Sequence, residues 1–587
     1  MFKNIKQRLL ITYFLVCAFF LLTSLFITNP LIFHLSTKAT GVGDELLLSW
    51  IQTWVSHIVF SDPLKLFDAP SFFPFHNSLA YSDSLISSSI IFYPFYVIFH
   101  QPIVFQNATL ITSLWLLGFS SYLLCFYLFR RHIPAIISGL MVVFSPVVLD
   151  KYVHLQVLFV FFVPLAFLSF MHYLKSQKKT YLILAMLCFI LQTLNSFLPG
   201  YFIIFGFVGI LLAFAIFEKK KLDKKYFIKI FFALVISIAI LIPFILPYYK
   251  VSSDFAYTRD IRDSIHFALQ PEDLYYANSF TRLSPMLEFI NVKSNFSQNP
   301  SFKNGYPGLL LLIGSILSIF YIVKNWKKER YEVKSLFIIG IGGLILSLGP
   351  FLHIGRQTIH HPFPVPLPYL LLYYLVPGFN GLRNSARWEV LFVLCMSILA
   401  GYYIGIFFSK YKGVHKHILA ILFVSIIFVE YKPSFHLVDI LPREKFPQEY
   451  HWLSKQSQNA VVVEMPVYNW NTFPYATREL QRQYYSTAHF LRTVNGASGF
   501  SPPPWQLLSV KLLKEFPSSK SIDTLKNLGV NFIIVHFDEY DLLHHDNYKV
   551  EGLIKAPSSA EIKKIISTNA TLREVVKFDN TVIYVIK

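Results

Sequence analysis

The chain has 587 residues, of which 54% are hydrophobic, 17% aromatic and only 14% charged, with a mean hydropathy of +0.49. A water-soluble chain of this length does not carry so few charges, so lipid is the solvent for most of it. The formal charge of +19 would suit nucleic acid, but 22 Lys and Arg against four acids gather in 1–8, 130–132, 175–180, 218–229, 324–334 and 409–417. Those stretches fall at every second membrane exit, as cytoplasmic loops do, so the basic balance is topology and nucleic acid is excluded as a partner.

Spanning runs are expected at 9–28, 106–129, 133–149, 155–174, 181–197, 201–217, 227–247, 307–323, 335–352, 388–408 and 415–430. That makes about eleven crossings of a ~30 Å hydrocarbon layer. The charge pattern places the N-terminus in the cytoplasm and everything after about residue 432 outside. Lys3, Lys6 and Arg8 open a first apolar run with no small-x-small site after it, which reads as a retained signal anchor. The segments 85–99 and 369–377 fit no crossing count and are expected as re-entrant or interfacial pieces buried against protein. Cys17, Cys125, Cys188 and Cys395 lie in expected spans and imply packing rather than a disulfide or a zinc site.

The expected organisation is a transmembrane region, 1–435, with outer loops 29–105, 248–306 and 353–387, followed by a small extracytoplasmic α/β domain, 440–587. In that tail the β-rich runs AVVVEMPV, NFIIVHF and TVIYVIK alternate with helix-like stretches at 507–516 and 519–528. Few ionisable groups fall within the spans; those near one, such as Lys229 and Glu389, sit close to its end. Ion-coupled transporters place such groups at the bilayer midplane. Polar residues here gather at the outer face instead, which favours an enzyme acting on a membrane-anchored substrate.

Three outer clusters carry candidate chemistry. In GVGDELLLSWIQTW, Asp44 and Glu45 precede a stretch whose Trp50 and Trp54 fall on one helical face suited to the headgroup zone. A carboxylate there could take a proton from a hydroxyl or hold a divalent cation beside a phosphate, or Asp44 could simply cap the helix. In SPVVLDKYVHLQ, Asp150, Lys151, His154 and Gln156 occupy one outer turn, where they could share proton transfer or metal binding with Asp44, or be a solvated turn. In PGFNGLRNSARWEV, Arg383 and Arg387 lie four apart and would share a cationic face in a helical turn, a clamp for a lipid phosphate or a headgroup anchor. His353, Arg356, His360 and His361 lack a ligand spacing and read as a structural loop; Asp254, Arg259, Asp260, Arg262 and Asp263 read as surface pairs.

The acidic pair after the first span, the RR followed by SGLMVVFSPVVLDKYVHLQ, and GFNGLRNSARW resemble the GT-C superfamily of integral membrane glycosyltransferases. The tail pieces VVVEMPV, YYSTAHFLRTVNGASGFSPP and LKNLGVNFIIVHF look like those of bacterial YfhO-like members. The resemblance implies a polytopic α-helical GT-C-like fold in the bacterial inner membrane and transfer of a sugar from a polyprenyl-phosphate donor to an extracytoplasmic acceptor. It places a catalytic acid at Asp44, with Glu45 adjacent, a second acid at Asp150, and an arginine that meets the lipid phosphate at Arg383 or Arg387; from their place in the outer clusters, Lys151, His154 and Gln156 are expected as substrate contacts and Asp44 with Asp150 as holders of a divalent cation. Many family members carry two adjacent acids in the second loop; here Lys151 follows Asp150, a departure that bears on the metal. The competing class is a lipid-linked glycan flippase or envelope assembly factor, which would move lipid without a sugar donor.

Overall fold

A computed structural model describes residues 2–218, 224–275, 279–286, 305–354, 357–358, 363–546, 548–550 and 554–587. His360, His361 and Arg356, much of the 248–306 loop and part of the 218–229 basic run lie outside the described residues. The chain forms two compact units, the first from residues 1–32, 109–244 and 257–436, the second from 33–108, 245–256 and 437–587.

The first unit is a helical bundle. Every apolar run forms helix, but not every helix is long enough to cross on its own. Among the described residues six helices are long and apolar enough to span, or seven if the pair His132–Val143 and Pro146–Val153, bent by 47°, counts as one. The expectation of about eleven crossings is therefore corrected. Its source is length: Lys179–Asn195, Leu309–Lys324, Tyr331–Ser347 and Val414–Glu430 have 16 or 17 residues, roughly 25 Å of helix against a ~30 Å hydrocarbon layer. The chain is a polytopic α-helical membrane protein.

Burial orders these helices. The span Ser385–Phe408 is 78% buried and stands at the centre, whereas Tyr226–Phe255 is only 11% buried and turns Phe231, Phe232 and Ile236 outward. Lipid offers no hydrophobic drive between helices, so close approach through small residues replaces it. A Cβ on Gly401 would stand 2.6 Å from the Ser138 Cβ and 3.0 Å from the Cys125 Sγ, and one on Gly314 would stand 2.9 Å from the Ala400 Cβ. The helix Leu309–Lys324 has no capping side chain of its own. Its cap comes from the far end of another helix, where Glu430 accepts the Leu309 amide at 2.9 Å and the Tyr306 hydroxyl at 2.8 Å.

The second unit is built on a five-stranded mixed sheet. Its order is Leu572–Phe578, Thr581–Ile586, Phe532–His536, Val461–Met465 and Arg492–Thr493. The first three strands are antiparallel and the last two join in parallel. The three β-rich runs are all strands, and 507–516 and 519–528 fall on the helices Pro503–Glu515 and Ser519–Asn527. The first outer loop completes this unit. Phe72 donates its amide to the Asn495 carbonyl at 3.0 Å, Phe73 to Thr493 at 2.8 Å, and Thr493 back to Pro70 at 2.7 Å, extending the sheet edge. Lys38–Ala39 pairs with Val438–Asp439.

Candidate functional site

Asp44 and Glu45 open the helix Asp44–Ile58 of the second unit. Gly43 occupies the N-cap position with no side-chain bond, so Asp44 is the first helical residue and not the cap. Asp44 is half-buried. Glu45 is 3% exposed; its Oε2 accepts the Gly43 amide at 3.2 Å, and a Cβ on Gly41 would clash with its Oε1. Burial pushes the Glu45 carboxyl up, and the neighbouring Asp44 charge adds to that against the pull of backbone amides.

The tryptophans of this helix do not face headgroups. Trp50 donates its indole N–H to the Ser486 Oγ at 3.2 Å, Trp54 donates to the Leu66 carbonyl at 2.9 Å, and both rings are buried. The partners are Thr477–Tyr485 from the tail and Ile86–Ile91 from the loop's own 85–99 segment. A pattern of two Trp four apart is the same on a core helix as on an interfacial one, and only the covering segment tells them apart.

Asp150, Lys151, His154 and Gln156 lie in the first unit on two short turns, Asp150–Val153 and Leu155–Leu158. Lys151 Nζ stands 3.0 Å from the Asp150 carboxylate, both groups partly exposed. His154 is half-buried and Gln156 is 6% exposed, with no hydrogen-bond partner for its Oε1 among the described residues. Glu389, at the start of the central helix, is 3% exposed, and its Oε1 likewise has no hydrogen-bond partner among the described residues.

Arg383 and Arg387 do not share a helical face. Asn384 is extended and Arg383 lies before the 3-10 turn Ser385–Trp388 that holds Arg387. The exposed Arg383 lays its guanidinium over the Phe267 ring at 4.6 Å. The backbone of this segment is tied to the short helix Ile261–His266 and the residue after it, with Ser385 Oγ donating to the Ser264 carbonyl at 2.8 Å and Ala386 donating to the Phe267 carbonyl at 3.1 Å. Arg259 was read in the sequence as one of a balanced surface run. It stands instead over the Tyr257 ring at 5.2 Å, and burial raises the Tyr257 hydroxyl against the opposing pull of Arg259 and Arg383. Asp260 and Arg262 do form the expected surface pair, at 2.6 Å. Tyr257 lies only two residues before Arg259, so this contact is local.

No three His, Cys, Asp or Glu side chains converge as metal ligands among the described residues. The Asp150 carboxylate carries the Lys151 ammonium at 3.0 Å. The residues present do not fit the expected divalent cation, and no chemical step is derived through it.

A sealed charge network in the second unit escaped sequence reading. Arg482, 4% exposed, reaches Glu539 Oε2 at 2.7 Å, Glu479 Oε1 at 3.1 Å and Glu464 Oε2 at 3.7 Å. His536 Nε2 lies 2.9 Å from the same Glu464 oxygen, which also accepts the Tyr450 hydroxyl at 2.8 Å. With every member buried, the network organises the sheet unit and touches no solvent-borne substrate.

The helical bundle with its mixed-sheet unit has a GT-C-like membrane fold. The chain is similar in structure to the arabinofuranosyltransferase AftD from Mycobacteria, with a TM-score of 0.52 at 12% identity, over 98% of this chain and 40% of that one. It is also similar to the Archaeoglobus fulgidus oligosaccharyltransferase solved in complex with Zn and sulfate, with a TM-score of 0.51 at 12% identity, over 92% of this chain and 70% of that one. This chain thus spans well under half the length of AftD. No protein-family model and no curated protein matches the sequence. The likeness is one of fold, and nothing in it singles out the YfhO-like proteins.

Proposed function

We propose that this chain is a membrane glycosyltransferase that moves a sugar from a polyprenyl-phosphate donor to an extracytoplasmic acceptor, a cell-envelope glycan, lipid or protein, in a bacterial inner membrane. The observation that carries the reading is the shared fold with two proteins whose names state transfer of an arabinofuranosyl unit or of an oligosaccharide.

In this mechanism Asp44 takes the proton of an acceptor hydroxyl as its oxygen attacks the anomeric carbon. The bond from that carbon to the phosphate oxygen breaks, and its electron pair leaves with the lipid phosphate. Arg383 and Arg387 meet the charge that develops there, as fixed guanidinium donors suit a phosphate. Arg259, acting on Tyr257 together with Arg383, adds a third cation to that group. Asp150, Lys151, His154 and Gln156 line the sugar, and Glu45 adjoins the base. Asp44→Asn lowers transfer from undecaprenyl phosphate carrying a tritiated sugar by about 10²–10⁴-fold, with expression and membrane insertion unchanged. Retained transfer in that variant defeats the assignment. Movement of the lipid across reconstituted vesicles without any acceptor would favour the flippase class instead.

A further inference from the structure

Three turns of the helical unit bring their cations to a single aromatic ring. Tyr127 lies in the last turn of the span Pro102–Phe129. The Arg130 guanidinium stands 5.5 Å from its ring centroid, and the Lys175 ammonium, at the end of the span Leu155–Ser176, stands 6.0 Å from it. The two cations are therefore no farther apart than those distances laid end to end. A third comes from the start of the helix Tyr331–Ser347, where the Arg330 guanidinium donates to the Leu128 carbonyl, next to Tyr127 in the chain. The His172 ring, 4.4 Å from Tyr127 and stacked on Tyr181 at 4.8 Å, ties the start of Lys179–Asn195 into the same cluster.

Arg130, Lys175 and Arg330 are all exposed. The acids beside Arg330 are engaged elsewhere. Glu329 accepts the Tyr402 hydroxyl at 3.0 Å, and Glu332, 2% exposed, accepts that of Tyr127 at 3.4 Å. Among the described residues no carboxylate is ion-paired with any of the three cations. The rule that fills cytoplasmic turns with Lys and Arg accounts for how many there are. It does not call for three of them, from separate turns, to gather at one ring, where like charges repel.

An anion relieves that repulsion, and two guanidinium forks with an ammonium suit phosphate oxygens, which Arg grips in pairs and Lys as a point charge. The cations stand at the ends of two spans, the depth of phospholipid headgroups. Beyond Tyr181, Ile183, Leu184 and Leu187 on the helix Lys179–Asn195 are exposed, an apolar strip that the acyl chains of the same molecule would cover. We propose that Arg130, Lys175 and Arg330 bind the phosphate of an anionic phospholipid in the leaflet that the charge pattern assigns to the cytoplasm. The site does not depend on the sugar-transfer reading.

The test titrates the full chain in detergent with phosphatidylglycerol, with phosphatidylcholine of the same acyl chains and with inorganic phosphate, bound ligand being counted by native mass spectrometry. Wild type takes phosphatidylglycerol about ten-fold or more tighter than phosphatidylcholine, each surface cation adding to the margin. The triple variant Arg130→Gln, Lys175→Gln, Arg330→Gln brings the margin to about one. A control that removes equal charge from other exposed basic positions, Lys327→Gln, Lys328→Gln, Lys410→Gln, keeps it. Lys175→Gln alone, at an exposed side chain, lowers the margin several-fold and decides the matter if the triple variant does not fold. The proposal is overturned by a margin that survives in the folded triple variant or is unchanged in Lys175→Gln, by an equal loss in the control, or by no preference in wild type. Inorganic phosphate that binds as tightly as phosphatidylglycerol also overturns it, since the site would then not be one for lipid.

Discussion

Arg482 shows how much one buried charge can govern. Its guanidinium faces the carboxylates of Glu464, Glu479 and Glu539 at 4% exposure. Arg482→Met leaves those acids uncompensated and costs about 3–5 kcal/mol, to be read as a lowered midpoint in thermal unfolding of the full chain. The same cluster sets a pH dependence. Burial lifts Glu479 to about 7, so it is protonated in the fold while the unfolded chain ionises near 4.5, and its contribution is lost as pH climbs between those values. Burial pulls His536 down, but its bond to Glu464 and the charges of Glu539 and Glu464 together offset that and raise it above 6.5. Its contribution is complete below 6.5 and is lost as pH rises through the folded value. Glu464 and Glu539 are held below 4.5, against burial, by His536 and Arg482, and their share is lost only in acid. Unfolding midpoints should therefore fall as pH climbs from about 4.5 through about 7, and His536→Asn should flatten the part of that slope above 6.5. A midpoint that rises over this range would contradict the assignment. None of this was legible beforehand, because Glu464, Arg482 and His536 sit on three separate elements and only the sheet brings them together.

At the scale of elements, the apolar runs announced the helices and their order, since a run of apolar residues in lipid can satisfy its backbone only as helix. Their exact lengths decided which can span, and end effects of a few residues moved four of them below the threshold. The central helix depends on small residues where it is crossed. Gly401→Ala brings a methyl group within 3.0 Å of the Pro134 carbonyl as well as the Ser138 side chain, and should cost about 1–3 kcal/mol, seen as a lower unfolding midpoint with unchanged helix content. The helix Asp44–Ile58 gives the contrasting case: its Trp spacing was visible, but whether lipid or protein covers it was not. The arginine pair was misread for a related reason. Four-residue spacing aligns side chains only in a helix, and the extended Asn384 breaks it.

At the scale of the molecule, the first outer loop and the tail fold as one unit. Residues 70–73 extend the sheet at 493–495, Gln101 holds Glu444 at 2.6 Å and the Arg443 amide at 2.8 Å, and Thr477–Tyr485 covers Asp44–Ile58. Truncation after residue 436 should thus strip the helix that carries Asp44 of its cover. Limited proteolysis of the truncated chain should then cut between Lys38 and Lys65, a region protected in the full chain; continued protection there would show that the loop folds without the tail.

The amino-acid sequence by itself determined the solvent of the chain, the positions of its helices and tail strands, and the residue types available at its outer loops. These follow from local rules, hydropathy and periodicity, that act within some twenty residues. The tertiary structure alone decided that a loop near the N-terminus closes the sheet of the C-terminal tail, that Arg383 lies over the Phe267 ring, and that Arg482 meets Glu464 and Glu539 in one buried cluster. Each of these depends on contacts between segments far apart in the chain, where the energy of an arrangement is a property of the packed whole and leaves no periodic trace in any one segment.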